Sequence, residues 1–124
     1  MRNYRFSISA GEDFVEILSW SAVHFGEAAA KRYKRLISTA IQQICQNPER
    51  IGSIALSEFG AGIRAYHLRF SRSAAAKAAG SVNRPRHWVV YKVLSHQEIE
   101  IVRLVHDSME FDRHLPRFRS TEES

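Results

Sequence analysis

The chain has 124 residues, enough for one hydrophobic core and too few for two. Its 44% hydrophobic and 25% charged residues describe an ordinary globular domain, without an apolar run of membrane-span length or the apolar block of a secretion signal. The formal charge of +5 calls for an acidic partner: nucleic acid, an enzyme that acts on nucleic acid, or an acidic protein.

Tyr4, Phe6 and Ile8 alternate with polar residues and predict a first strand with one apolar face. Ser9 followed by Glu12 has the spacing of a capping box. Phe14, Ile17, Leu18, Ala22 and Phe25 then recur at helical spacing up to a stop at Gly26, with Trp20 off the main stripe. A second helix carries Ala30, Tyr33, Leu36, Ile37, Ala40, Ile41 and Ile44 as its stripe and ends at Asn47-Pro48. So short a turn makes the two helices an antiparallel hairpin. Lys31, Arg32, Lys34 and Arg35 read as a solvated face, and Cys45 as a small core residue. A single cysteine cannot form an internal disulfide, which suits a reducing, cytoplasmic setting. The six histidines lack metal-type spacing, so neither a metal nor a cofactor is expected.

Pro48 to Gly62 reads as a connection with a short strand at Ile54–Leu56. Tyr66, Leu68 and Phe70 share one parity, with His67 and Arg69 on the other, which predicts a strand. Ser71–Arg86 breaks the pattern. It is a basic, Ala-rich hairpin insertion with Ser73 as cap and Gly80 as stop, carrying Arg72, Lys77, Arg84 and Arg86 and no acid. Trp88–Leu94 is the next strand, and after a turn at Ser95–Gln97 the chain enters another at Glu98–His106. There the apolar residues change phase, from Ile99 and Ile101 to Val102 and Leu104, as in a central strand buried on both faces. Arg103 inside that run needs a partner or a wet groove, with Glu100 or Asp107 at hand. The order β-α-α-β-β-β, with a helical pair on an antiparallel three-stranded meander, defines an α+β domain over residues 1–116. Residues 117–124 form a charged, frayed tail.

The Asp13-Phe14, Ile17 and Phe25-Gly26 pattern of the first helix resembles the opening of the RelE/ParE superfamily of toxins. Asn47-Pro48, Gly62-Ile63-Arg64, the run Ile99 to His106, Met109 and His114-Leu115 resemble its ParE branch. The resemblance spans Tyr4 to Leu115 apart from the insertion. It implies the toxin of a type II toxin-antitoxin system, cytoplasmic and neutralised by a cognate antitoxin. ParE-type members arrest growth by inhibiting DNA gyrase, whereas RelE-type members cleave messenger RNA on the ribosome.

Metal-independent RNA cleavage needs a general base, a general acid and cations for developing charge. Arg64, His67, Arg69 and His106 are the candidates for that alternative. The C-terminal segment offers His106-Asp107 and Phe111 without the tyrosine of the RelE pattern, which favours a non-catalytic gyrase poison. For target binding the resemblance points to Arg64, Arg103, His106 and Met109. An antitoxin with an acidic, amphipathic tail would meet Arg5, Trp20, Arg32, Arg35 and Arg69, laying apolar side chains beside the helical hairpin or along the first-strand edge. DNA contact is expected only through that antitoxin. His24, His87 and His96 read as surface residues, and Tyr66 and Tyr91 as aromatic packing.

Overall fold

In the computed structural model, residues 2–77, 80–109 and 111–115 are described; the expected C-terminal tail, 117–124, lies outside them. Strand β1 (Asn3–Phe6) leads into α1 (Ile8–Phe25) and α2 (Glu27–Gln46), separated by Gly26. The φ of +94° at Gly26 is a left-handed value that a side chain would resist, and its N–H closes α1 on the Ala22 carbonyl. Then come β2 (Ser53–Ala55), β3 (Ile63–His67), a short α3 (Arg72–Ala75), β4 (His87–Val93), β5 (Glu98–His106) and α4 (Phe111–His114). The strands form one mixed sheet in the order β1-β5-β4-β3-β2. The late strands are antiparallel as expected, whereas β1 lies beside β5 in parallel, Asn3 opposite Glu98 and Phe6 opposite Ile101. A parallel neighbour requires a crossover, and the α1–α2 hairpin supplies it.

Three local boundaries differ from the sequence reading. Ser7, not Ser9, caps α1: its side chain accepts the Ala10 N–H at 3.0 Å, and Ile8 opens the helix with 85% of its surface exposed. Ser7 is the last residue on the β1 ladder, its N–H bonded to the Ile101 carbonyl, so the helix starts at the next residue. Strand β3 stops at His67 because the His67 ring accepts the Arg69 N–H at 3.1 Å and turns Leu68–Ser71 into a 3-10 helix. That ends the strand expected through Phe70. The insertion folds back on α2: Arg35 donates to the carbonyls of Ala75 and Gly80, both at 2.9 Å, and Ala75 and Val82 reach the main core.

Apolar residues fill both faces of the sheet. Leu36, Ile37, Ile41 and Ile44 of α2 pack on Tyr66, Val89, Tyr91, Ile99, Ile101 and Leu104, with Cys45 buried among them. The opposite face gathers Leu56, Phe59, Ile63, Ala65, Val90, Val102, Val105 and Leu115. The phase change in β5 has a structural cause. Register shifts between Val90 and Tyr91, whose partners are Arg103 and Ile101, so Val102 is the extra residue of a bulge. Ile101 and Leu104 can thereby face the helices while Val102 and Val105 face away.

Beyond Ile101 the edge of β5 has no β1 beside it, and α1 takes over. The Ser7 hydroxyl donates to the Val102 carbonyl at 2.8 Å, and the Leu104 N–H donates to Asp13 Oδ2 at 3.0 Å. Asp13 also receives Arg103 through Nε at 2.7 Å and Nη2 at 3.1 Å. Arg103 therefore finds its partner on α1 and not in Glu100 or Asp107. Hydrogen bonding to the Asp13 carboxylate raises the Arg103 pKa against the opposing effect of burial. Asp13→Ala, which removes the carboxylate that binds Arg103 and the Leu104 N–H, is expected to cost about 3 kcal/mol in chemical denaturation. Arg103→Ala, which leaves Asp13 bonded to the strand, should cost measurably less. A loss below about 1 kcal/mol for Asp13→Ala would class the pair as an ordinary surface bridge.

Candidate functional site

The end of the sheet where β4 begins and β5 finishes gathers several polar side chains. His87 and His106 are cross-strand partners, their rings edge to face with centroids 5.2 Å apart. The Tyr33 hydroxyl accepts the Arg86 N–H at 3.0 Å and lies 2.6 Å from His87 Nδ1, which can accept its proton. Burial pushes the Tyr33 hydroxyl up to about 12. Burial, helped by the charge of His106, pushes His87 down to about 4. His87 is thus a neutral packing group tied to α2, not the surface histidine the sequence suggests; only the cross-strand register reveals this.

His67 is 2% exposed. Its Nδ1 accepts the Arg69 N–H, so Nε2 carries the proton and points to Asp107 Oδ2 at 3.2 Å. Burial lowers its pKa, against the hydrogen bond to Asp107. Asp107 also receives Arg86, through Nε and Nη2 each at 3.0 Å. Burial works to raise the Asp107 carboxyl, but the hydrogen bonds from Arg86 and His67 hold it below its ordinary value. His106 remains partly open, its Nδ1 accepting the Ser108 N–H at 3.1 Å, and Met109 beside it is exposed. Arg69 is exposed, its guanidinium 4.6 Å from the centre of the Phe70 ring.

The sequence-derived residues therefore do not form one site. His67, Arg69, His106 and Met109 belong to this end of the sheet. Arg64 sits opposite Tyr91, four residues along β4 from His87, or roughly 13 Å by the rise of a strand. There its Nε donates to the Ser53 hydroxyl at 2.7 Å, beside a separate cleft of about 670 Å³ shared with Arg2, Pro48 and His96. Arg103 lies apart from both, paired with Asp13 of α1 at 2.7 Å. Among the antitoxin candidates, Arg5 lies 3.8 Å from both Glu98 and Glu100 on the β1 edge, and Trp20 is on α1, stacked on His24. Arg32 and Arg35 lie at the insertion.

Helix α1 exposes more apolar side chains than its core stripe alone implies. The helix buries Ala10 and Ser21, yet exposes Ile8, Val15, Trp20, Val23 and Phe25, and Tyr4 on β1 is also exposed. Trp20 is 54% and Val23 82% exposed. These are large apolar side chains left open to solvent on a single helix. Among the described residues no helix is long and apolar enough to cross a membrane, and no group of three metal-ligating side chains assembles.

A helical hairpin laid across a mixed sheet, with this apolar helix outward, places the chain in the α+β class seen in toxin-antitoxin complexes. A chain of the structure described as "Chromosomal ParDE TA system from P. aeruginosa" superposes with a TM-score of 0.59 at 16% identity, covering 86% of this chain and 96% of that one. A chain of the E. coli DinJ-YafQ complex superposes at 0.51 with 15% identity, covering 87% and 96%. No curated protein matches the sequence. The family model described as the ParE toxin of type II toxin-antitoxin system, parDE, matches residues 4–111, and the chain belongs to that family.

The histidine arrangement sets a pH dependence. In the unfolded chain His87 takes up a proton near 6.5, whereas in the folded chain it resists until about 4. Stability is complete above the first value and erodes as pH falls towards the second, because the unfolded state then binds more protons. Thermal melts are expected to lose on the order of 2–3 kcal/mol across that window, and His87→Gln should flatten the loss. An unchanged profile in His87→Gln would remove His87 as the cause.

Proposed function

We propose that this ParE-family chain is the toxin of a type II pair, acts in the cytoplasm by binding DNA gyrase, and is silenced by an antitoxin that covers α1 and β1. The observation that carries the non-catalytic reading is the state of His67. A general base must offer a free nitrogen to a 2′-hydroxyl, and both His67 ring nitrogens are engaged internally while the ring is buried. His87 is likewise held by Tyr33. His106 and Arg69 remain accessible, and the carboxylate near His106, Asp107 at 3.7 Å, is already bound by Arg86 and His67, which suits recognition better than RNA cleavage. With Met109 they form the target-facing surface of this reading, and Arg64, on the far cleft, is a separate contact. Absence of the C-terminal tyrosine of the RelE pattern points the same way.

For the antitoxin, a disordered segment that folds on binding needs apolar anchors to offset its ordering entropy. Tyr4, Trp20, Val23 and Phe25 supply them, and Arg5 at the adjoining strand edge suits an acidic residue of the partner. Val23→Asp should leave the melting temperature unchanged yet weaken antitoxin binding tenfold or more by calorimetry, since a buried charge at an interface costs about 2 kcal/mol or more. Retained affinity would place the antitoxin elsewhere.

The target is tested directly with purified gyrase. Inhibition of supercoiling by the free chain, relieved by antitoxin and weakened at least tenfold in Met109→Asp, is the expected outcome. Undisturbed supercoiling at excess toxin, together with ribosome-dependent cuts in messenger RNA abolished by His106→Ala, would transfer the assignment to the endoribonuclease reading.

A further inference from the structure

Acidic and basic residues are segregated along this chain. From Ala28 to Pro48, and again from Phe59 to Gln97, there is no Asp or Glu. The first stretch is nearly all of α2 and the second contains the insertion, and the fold joins them. Arg35 holds the insertion to α2 through the Ala75 and Gly80 carbonyls. Gly80 lies against Arg32, whose Cδ would be 3.7 Å from a Cβ at that position. Arg72 closes the segment on itself, donating to the Val82 carbonyl at 2.5 Å. Lys31 and Lys34 on α2, and Lys77 and Arg84 on the insertion, are all exposed. Among the described residues none of these four forms an ion pair with a carboxylate.

The chemistry of this side differs from that of the antitoxin surface. The large exposed apolar residues lie on β1, α1 and scattered loops and strands, and none lies on the described part of α2 or of the insertion. A folding peptide has nothing there to bury. A face that offers charge without apolar anchors fits a partner recognised by charge alone, and a phosphodiester backbone is such a partner. Tyr33 of α2 has its hydroxyl engaged with His87 and its ring edge to face with that imidazole, and the exposed Phe70 before the insertion has the Arg69 guanidinium 4.6 Å from its ring centre, so neither is a free platform for unstacked bases. A single strand would need one.

We propose that α2 and the insertion together form a sequence-independent binding surface for the phosphate backbone of duplex DNA, giving the toxin a nucleic-acid contact of its own beside the one its antitoxin brings. The inference does not depend on which target the toxin attacks. With about four phosphates neutralised, affinity should fall roughly a hundredfold between about 50 and 200 mM salt.

The test is fluorescence anisotropy with the purified full-length chain and a labelled random-sequence duplex of about 20 base pairs, a single strand of equal length, and an acidic peptide. The expected result is tighter binding to duplex than to single strand, with that steep salt dependence. Lys77→Glu/Arg84→Glu and Lys31→Glu/Lys34→Glu should each weaken duplex binding at least tenfold with unchanged melting temperatures. Arg5→Gln, on the remote strand edge, should stay within about twofold of the parent. Several results would overturn the proposal: no duplex binding at about 50 mM salt, equal binding to single strand, or equal weakening by Arg5→Gln. So would reversals that abolish peptide binding while sparing the duplex.

Discussion

The structure depends on how the exposed half of β5 is closed. A strand edge presents carbonyls and N–H groups that must find partners, and β1 covers this one only as far as Ile101. From there α1 substitutes side chains for a strand, Ser7 for the Val102 carbonyl and Asp13 for the Leu104 N–H. Asp13 carries a charge in a half-buried position, and the bidentate Arg103 neutralises it. Three features thus require one another: the bulge at Val102, the arginine among apolar neighbours and the acid in the first turns of α1. With α1 fixed in this way, Trp20 and Val23 further along it remain exposed. The helix seated on the sheet by this requirement also carries large exposed apolar side chains.

The same logic separates the faces of the molecule by chemistry. Apolar exposure concentrates on β1 and α1, uncompensated positive charge on α2 and the insertion, and a partly open histidine with a methionine at the end of β5. A family whose members must be bound and silenced by one partner while engaging another gains from such separation, because the occupants need not compete for the same residues. The internally bonded cluster of Tyr33, His67, His87 and Asp107 acts as the frame behind the third of these surfaces.

Much of the architecture was legible in the sequence because periodicity reports burial. The two stripes of the hairpin, the Gly26 break and the strands at Trp88 and Glu98 follow from it directly. What escaped was decided by partners far away or by competing local bonds. Two serines, Ser7 and Ser9, stand at the start of α1, and Ser7 became the cap because its N–H completes the strand ladder. The parity of Tyr66, Leu68 and Phe70 suggested a longer strand, which the His67 side chain cut short by capturing a backbone N–H. The phase change in β5 was visible, but a bulge and a strand buried on both faces leave the same mark, and here both are present. Arg103 pairs with a residue 90 positions earlier, and no local signal discloses such a partner. The candidate site was less legible than the fold: residue types suggested one constellation, whereas the register divided it between two ends of the sheet and the underside of α1.

The parallel docking of β1 on β5 has a consequence for the birth of the molecule. The contact between Ser7 and Val102 spans 95 residues, so the first strand has no neighbour until synthesis has passed β5. At about 5–20 residues per second, the helical hairpin waits for several seconds or more with its inner stripe uncovered, because the sheet beneath it does not yet exist. An antitoxin already present in the cell can therefore meet the nascent chain before its sheet closes.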